Sequence, residues 1–357
     1  MKFSMFYLTS FHEETHKDAA NMYQQIYEQV ELAESIGFQK VWMPEHHLTD
    51  YGGDVPAPLL MLGALAQRTS RIKLGTGGVA LPLHRPLELA EQLAMVDVMS
   101  NGRLEIGMVR AFLDYEYAAY NVDMGESRER FNEGHQIIRG LFEHERFSYD
   151  GKFTRFDDVQ LRPRPIQRKP RMVLGTIMTE ESFRYAGHNG LDLMVVPYLL
   201  PFDFVKGMLD VYRSALVEAG YTVEDFNIMS HFFYYGHADA ALAKERPRRS
   251  LMNYLRSVRD AVSGDRWSKD YKGYEGIVKK VDALMDYEMM FKERSLYGHP
   301  EIFHRRVEEI AAAGITEIGL MPSMPGMPHD KVMETLEFFG NELLPEYQAL
   351  DPLGATA

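Results

Sequence analysis

Residues that could take part in catalysis or binding follow short apolar runs in the first third of this 357-residue chain. One run, Val41-Trp42-Met43-Pro44, leads into Glu45-His46-His47, and another leads into Gly75-Thr76-Gly77-Gly78. Histidine can transfer protons near neutral pH. Paired glycines lack Cβ atoms, so a flat ring can approach their backbone closely. Together the two motifs indicate a site for a planar group with an acid–base residue beside it.

Each motif also has a plainer interpretation. A glycine pair at a strand end is often a β-bulge or a turn, and a histidine in a polar loop is often structural. Successive residues of an extended segment point to opposite sides, so only one of His46 and His47 is expected to face the site.

Arg110 and the Thr179–Ser182 segment are candidates for holding a phosphate. A guanidinium grips phosphate oxygens with two parallel hydrogen bonds, and Arg110 directly follows an apolar run. Thr179 opens a predicted helix and Ser182 lies one turn in, so hydroxyls and unpaired N–H groups meet there. The alternatives are a surface ion pair for Arg110 and an ordinary helix cap for Thr179.

The pattern around these motifs predicts a parallel α/β fold, because short apolar runs alternate with amphipathic helical segments. Glycines stop two of the helices, Gly37 after residues 22–36 and Gly314 after residues 302–313. The carboxyl ends of the strands meet at one face of a (β/α)8 TIM barrel, where active sites lie. Eight strands are predicted, at residues 3–8, 39–43, 72–79, 104–109, 172–175, 193–196, 226–233 and 317–321.

Two segments interrupt this alternation. Residues 146–158 contain an Asp150-Gly151 turn between aromatic residues, which predicts a small hairpin insertion. Residues 236–298 exceed ordinary loop lengths and predict a lid-like insertion over the site, with an adaptable cover at its Tyr- and Met-rich end. We expect residues 1–350 to form one barrel domain and residues 351–357 to form a flexible tail.

Composition excludes several classes of function. The chain has no cysteine, which excludes disulfides, thiolate catalysis and iron–sulfur clusters. A net charge of −13 disfavours nucleic acid and anionic membrane surfaces. The absence of a signal peptide or a long apolar run predicts a cytoplasmic protein.

The segment His12-Glu13-Glu14-Thr15-His16 matches the H-E-x-x-H zinc pattern. Its surroundings are polar and offer no apolar helix to bury the ligands. No metal site is therefore predicted.

The chain resembles the bacterial-luciferase-like flavin-dependent monooxygenases. The resemblance is carried by Glu45-His46-His47, by residues 75–82, by Met99-Ser100-Asn101-Gly102-Arg103-Leu104 and by Asp123-Met124-Gly125-Glu126-Ser127-Arg128. It implies a barrel that binds reduced FMN supplied by a separate flavin reductase. Dioxygen, the co-substrate, is then activated as a flavin 4a-peroxide to oxygenate a small organic molecule.

The resemblance also implies roles for particular residues. Arg110, Thr179 and Ser182 correspond to phosphate ligands, and His46 corresponds to the catalytic histidine. A non-proline cis peptide is implied between Gly77 and Gly78 beneath the flavin ring. Val109 stands where the luciferase catalytic subunit has a reactive cysteine, which favours a nonluminescent oxygenase. The remaining predicted cofactor contacts are Val109, Gly175, Met178 and Tyr198.

Three further expectations accompany the resemblance. Related barrels accept a deazaflavin for hydride transfer, and a noncatalytic flavin-binding accessory subunit is a second alternative. Family members commonly pair through the helices after strands two and three. Small residues at Gly63, Ala64, Ala66, Ala90 and Ala94 therefore predict a homodimer.

Overall fold

The computed structural model describes residues 1–8, 10–196, 198, 200–263 and 276–348, with the backbone of 349 and 350. Eight parallel strands close into a barrel, and the prediction of a (β/α)8 barrel is confirmed. The strands in chain order are β1 (Lys2–Phe6), β2 (Lys40–Met43), β3 (Lys73–Thr76), β4 (Val79–Ala80), β5 (Leu104–Val109), β6 (Phe147–Asp150), β7 (Arg155–Val159), β8 (Met172–Thr176), β9 (Asp192–Val195), β10 (Ile228–Gly236), β11 (Leu296–Gly298) and β12 (Glu317–Met321). Around the barrel the order is β1, β2, β3, β5, β8, β9, β10 and β12.

Helices surround this barrel and cover its carboxyl end. They are α1 (Ala19–Ile36), α2 (Pro58–Arg68), α3 (Pro86–Met99), α4 (Asp114–Ala119), α5 (Ser127–Glu143), α6 (Glu180–His188), α7 (Phe202–Glu218), α8 (Ala240–Glu245), α9 (Arg248–Val262), α10 (Ile277–Ala283), α11 (Tyr287–Met289), α12 (Pro300–Ala312), α13 (His329–Phe338) and α14 (Leu344–Leu350). The glycine stops at Gly37 and Gly314 are confirmed, since both take left-handed φ angles, of 105° and 89°. Within the described residues, no helix is long and apolar enough to cross a membrane.

All eight predicted barrel strands are present, with ends that shift by a few residues. The predicted strand 72–79 is divided, because β3 ends at Thr76 and the chain resumes at β4. The implied cis peptide between Gly77 and Gly78 was wrong: the one cis bond among the described residues is Arg162–Pro163. A φ of 126° at Gly78 redirects the chain with a trans bond instead.

The two segments that interrupt the alternation have structure of their own. β6 and β7 form an antiparallel hairpin. Within 236–298 the described residues form α8 to α11 and β11, and β11 extends the sheet beside β10. Residues 264–275 of this segment and the tail 351–357 lie outside the described residues. The assignment of residues 1–350 to one domain stays a prediction.

The opposite end of the barrel holds a buried charge cluster. Lys40 Nζ lies 2.8 Å from Glu105 Oε2 and 3.0 Å from Glu317 Oε2. Trp42 Nε1 and Asn227 Nδ2 donate to Glu317 at 3.0 and 2.7 Å. Burial alone would lower the pKa of Lys40, but the two carboxylates hold it above its usual range. The cluster joins β2, β5 and β12 and the residue before β10, on the side away from the cavity described next.

Candidate active site

The carboxyl ends of the strands surround a cavity, and it contains nearly all the residues predicted for the site. His46 follows β2, Gly77 and Gly78 join β3 to β4, and Arg110 follows β5. The wall also includes Val109, Gly175, Thr179, Ser182 and Tyr198. Residues separated by up to 152 positions in the chain thus share one wall.

Met178 is the exception among the predicted residues. Its neighbours Ile177 and Thr179 line the cavity, but Met178 does not. Its sulfur accepts a hydrogen bond from Lys280 on α10 at 3.2 Å. The Met178 sulfur is thus directed to α10, and a side-chain contact from Met178 into the cavity is not supported.

One corner of the cavity has the properties of an anion site. Thr179 precedes α6, but its side chain does not cap the helix; its hydroxyl lies 2.7 Å from Ser182 Oγ. The first N–H groups of α6 consequently lack the usual side-chain acceptor. An ordinary cap was the alternative for Thr179, and this geometry does not support it.

The acidic residues at the start of α6 are each paired with an arginine. Arg184 donates to Glu180 at 2.8 Å, and Arg128 lies 3.0 Å from Glu181. These pairs offset negative charge that would otherwise repel an anion beside the helix N-terminus. Arg128 was missed in the sequence analysis, although it ends the 123–128 motif that carries the resemblance.

The chain is held tightly where it leaves β5. Ala111 takes a φ of 58°, an uncommon angle for a residue with a Cβ atom, and so the chain turns sharply after Arg110. The carbonyl of Arg110 accepts a hydrogen bond from the hydroxyl of Tyr117. These features fix the backbone from which the Arg110 guanidinium extends.

Packing explains why glycines line the opposite wall. A Cβ atom at Gly77 would lie 2.7 Å from Pro44 N, and one at Gly78 would lie 2.5 Å from Val109 Cγ1. A Cβ atom at Gly175 would lie 2.6 Å from the same Val109 carbon. The lack of Cβ atoms at Gly77, Gly78 and Gly175 therefore lets this backbone pack closely against Pro44 and Val109 and leaves a smooth surface.

His46 lies in an almost water-free environment beside a buried carboxylate. Its Nδ1 is 3.4 Å from Glu116 Oε1, and the two side chains are 13% and 2% exposed. The ring packs on Tyr51 with centroids 4.5 Å apart. Glu116 was missed in the sequence analysis because α4, which carries it, meets β2 only in the folded chain. The contact does not meet hydrogen-bond geometry, so it places a carboxylate beside an imidazole, the side chain suited to proton transfer near neutral pH.

His47 faces away from the cavity, as the alternation at Glu45-His46-His47 predicts. Its Nε2 lies 2.8 Å from Glu45 Oε1, and its Nδ1 lies 2.9 Å from the Tyr120 hydroxyl. His84 Nε2 lies 2.7 Å from the same Glu45 oxygen. Burial would raise the pKa of Glu45, but hydrogen bonds from His47 and His84 outweigh it and lower this pKa to about 2.

This shift predicts that Glu45 contributes to acid stability. A carboxyl whose folded pKa is depressed stabilises the protein above its unfolded pKa of roughly 4.3 and loses that contribution as pH falls toward 2. Glu45→Gln should lower the unfolding free energy at pH 6 by about 2 to 3 kcal/mol, with a smaller deficit at pH 3. Urea titrations at both pH values test this, with the exposed Glu88→Gln as control; an equal deficit at both values would contradict it.

Together, fold and site define a parallel barrel with a helix N-terminus that lacks a side-chain cap, a glycine-lined wall and a buried histidine at one end. The family of luciferase-like monooxygenases matches residues 1–317. This chain belongs to that family.

Three relatives illustrate the range of similarity. Monooxygenase RslO1 from Streptomyces bottropensis is 32% identical, with a TM-score of 0.85 over 97% of this chain and 100% of that chain. The oxygenase component of flavin-dependent trigonelline monooxygenase from Acinetobacter baylyi is 29% identical over 220 residues, 60% of this chain and 59% of that protein. An F420-dependent secondary alcohol dehydrogenase shares the fold at 17% identity, with a TM-score of 0.73 over 94% of this chain and 97% of that chain.

Proposed function

We propose that this protein is the oxygenase of a two-component system, which uses reduced FMN and dioxygen to oxygenate a small organic molecule. The observation that carries the proposal is the shared cavity: Arg110 and the start of α6 suit the phosphate of a flavin, and the glycine-lined wall suits its ring. The flavin-dependent relative is itself described as an oxygenase component, which supports a separate reductase as partner.

The residues present fit such a cofactor. Arg110, Thr179, Ser182 and the start of α6 would hold its phosphate, with Arg128 close by. The surface of Gly77, Gly78, Gly175 and Val109 would lie against its ring, and Tyr198 would form part of the wall. When bound, reduced FMN supplies the electrons with which one atom of dioxygen enters the substrate while the other leaves as water.

The chain supplies binding, proton transfer and exclusion of water. His46 moves a proton within the cavity, and Glu116 orients its ring. Phe112 and Tyr51 pack around His46 and keep water from the reacting groups.

The cofactor proposal predicts that Arg110 recognises the phosphate. Arg110→Met should weaken anaerobic binding of reduced FMN by about 10- to 100-fold, because a charge-assisted hydrogen-bond pair contributes roughly 1.5 to 3 kcal/mol. Reduced riboflavin, which lacks the phosphate, should bind the variant and the unaltered protein equally. The exposed Arg155→Met serves as control, and equal losses for FMN and riboflavin would contradict the assignment.

A deazaflavin-dependent hydride-transfer reaction is the second candidate, motivated by the shared fold of the F420-dependent dehydrogenase. The same titration with F420 separates the two, since the proposed function requires tighter binding of reduced FMN. A noncatalytic flavin-binding accessory subunit is the remaining alternative. Binding of reduced FMN without product formation with any reductase and substrate would favour it.

We further propose that the protein forms a homodimer through α2 and α3. The predicted small residues Gly63, Ala66, Ala90 and Ala94 are buried within the subunit and do not form the outer surface. That surface is instead apolar and exposed through Leu60, Met95, Val98 and Met99, at 79%, 51%, 40% and 42%. Apolar side chains clustered on adjoining exposed helices are typical of interaction sites.

The dimer is tested by reversing the character of this surface. Leu60→Glu combined with Met95→Glu should convert a dimer to a monomer in light scattering, because two buried charges per subunit would face each other. Val217→Glu, at an apolar position 63% exposed on α7, is the matched control. A monomeric unaltered protein at working concentration would contradict the proposal.

A further inference from the structure

The cavity extends beyond the part assigned to the cofactor. Apart from Tyr198, the assigned groups come from the β3–β4 junction, β5, β8 and α6, on one side of the barrel. The opposite side is built from β1, β9, β10 and the covering helices α9 and α10. It contributes mainly aliphatic and aromatic side chains, including Phe6, Leu8, Met194, Val258, Ile277 and Val281. This second wall has no role in the function described so far.

One polar residue interrupts this apolar wall. His231 lies in the middle of β10 and lines the cavity, with only 4% of its surface exposed. Its Nδ1 has no hydrogen-bond partner among the described residues. A buried polar atom without a partner costs roughly 1 to 3 kcal/mol, and a polar atom of a ligand in the cavity would supply the missing hydrogen bond.

Neighbouring residues hold the His231 ring in place. It stacks on Phe6 with centroids 4.1 Å apart and planes within 7°, and its centroid lies 5.9 Å from that of Tyr198 at an interplanar angle of 68°. Gly319 on β12 makes space for it, because a Cβ atom there would lie 3.3 Å from the Cβ of His231. The imidazole is thus pre-positioned, which is the arrangement expected of a recognition group.

The groups around His231 are uncharged. Burial lowers the pKa of His231 to about 3, so its ring is neutral near pH 7. Burial raises the pKa of Tyr198 to about 12, and its hydroxyl lies 2.6 Å from that of Tyr254. Among the described residues that line the cavity, Arg110 is the one Lys or Arg. The second wall therefore provides no counter-charge for an anionic substrate.

We propose that His231 recognises the substrate by a hydrogen bond, and that the substrate is an uncharged aromatic molecule bearing a hydroxyl or carbonyl oxygen. This inference rests on the proposed function, because it assigns the second wall to the substrate of that reaction. The Phe6 ring, which stacks on His231, and the apolar side chains beside it favour an aromatic ligand. A neutral imidazole can donate to a carbonyl or accept from a hydroxyl.

Three probes of one ring system separate hydrogen bonding from charge. Naphthalene, 2-naphthol and 2-naphthoate are titrated into the intact protein by calorimetry near pH 7, where only 2-naphthoate is charged. We expect 2-naphthol to bind about tenfold more tightly than naphthalene, the value of one buried hydrogen bond. We expect 2-naphthoate to bind more weakly than 2-naphthol.

Variants then locate the effect. His231→Phe should reduce 2-naphthol affinity to that of naphthalene, and His231→Gln should retain part of the preference. His231→Met replaces the Phe variant if the latter does not fold. His135→Phe is the matched control, since His135 is also buried with its pKa lowered to about 3, but it contacts Tyr185 outside the cavity. It should leave all three affinities unchanged.

The outcomes distinguish this inference from the proposed function. No preference for 2-naphthol in the unaltered protein, or the same preference in the apolar His231 variant, would overturn it. Anaerobic titration of reduced FMN is run in parallel and should be unaffected by the His231 substitutions. A parallel loss of reduced-FMN affinity would instead place His231 against the cofactor. Failure of the unaltered protein to bind reduced FMN would contradict the proposed function. The affinities of the three probes would still test the role of His231.

Discussion

His46→Ala should lower kcat for coupled product formation by about 10²- to 10⁴-fold, the usual contribution of a positioned acid–base group. The affinity for reduced FMN should change less than about threefold, because the proposed cofactor contacts lie on β3, β5, β8 and α6 rather than on His46. The ring lies 3.4 Å from the buried Glu116 carboxylate, and an alanine cannot replace proton transfer at that place. Single-turnover kinetics with reduced FMN and an accepted substrate measure the effect.

Two further variants show whether the histidine acts chemically. Glu116→Gln keeps the shape of the carboxylate but removes its charge, so it should lower kcat less than His46→Ala and shift the pH profile of kcat. His144→Ala, at an exposed histidine, is the control for loss of an imidazole elsewhere. Unchanged coupling of flavin oxidation to product in His46→Ala would remove His46 from the mechanism.

Lys40→Met should produce the largest loss of stability, about 3 to 5 kcal/mol in unfolding free energy, because it leaves Glu317 buried without a cation and Glu105 with only the half-exposed Lys73. Both carboxylates are at most 3% exposed, so water cannot replace the lost ammonium group. Urea unfolding followed by circular dichroism at pH 7 measures the change. The flavin affinity of the folded variant should be retained, since the cluster lies at the opposite end of the barrel.

The same site offers a matched control and a pH test. Lys73→Met removes a second cation 3.3 Å from Glu105, but Lys73 is 51% exposed, so the loss of unfolding free energy should stay below about 1 kcal/mol.

In Lys40→Met the unpaired Glu317 carboxyl should gain a raised folded pKa, so acidification should restore part of the lost stability. In the unaltered protein, burial would raise the pKa of Glu317, but Lys40 holds this pKa below its usual range. Acidification therefore weakens the cluster. A deficit as small as that of Lys73→Met would show that the cluster is not stabilising.

Local order in this protein could be predicted well from sequence. The spacing of apolar residues gave the eight barrel strands, and left-handed glycines at Gly37 and Gly314 end helices where predicted, because these features depend on residues close in the chain. The errors arose where packing between elements decides. The backbone turn at Gly78 depends on contacts with β2 and β5, and the orientation of Met178 depends on α10.

The sequence alone predicted that Arg110, Thr179 and the glycine pair lie at one face of the barrel. Each lies at or after the end of a predicted strand, and parallel strands in a barrel all point the same way. Only the closed barrel shows which other residues lie beside this predicted set. Glu116 reaches His46, Arg128 reaches the start of α6, and His231 stacks on Phe6 across more than 200 positions of sequence. No local sequence pattern predicts these contacts, since each results from the packing of elements that are distant in the chain.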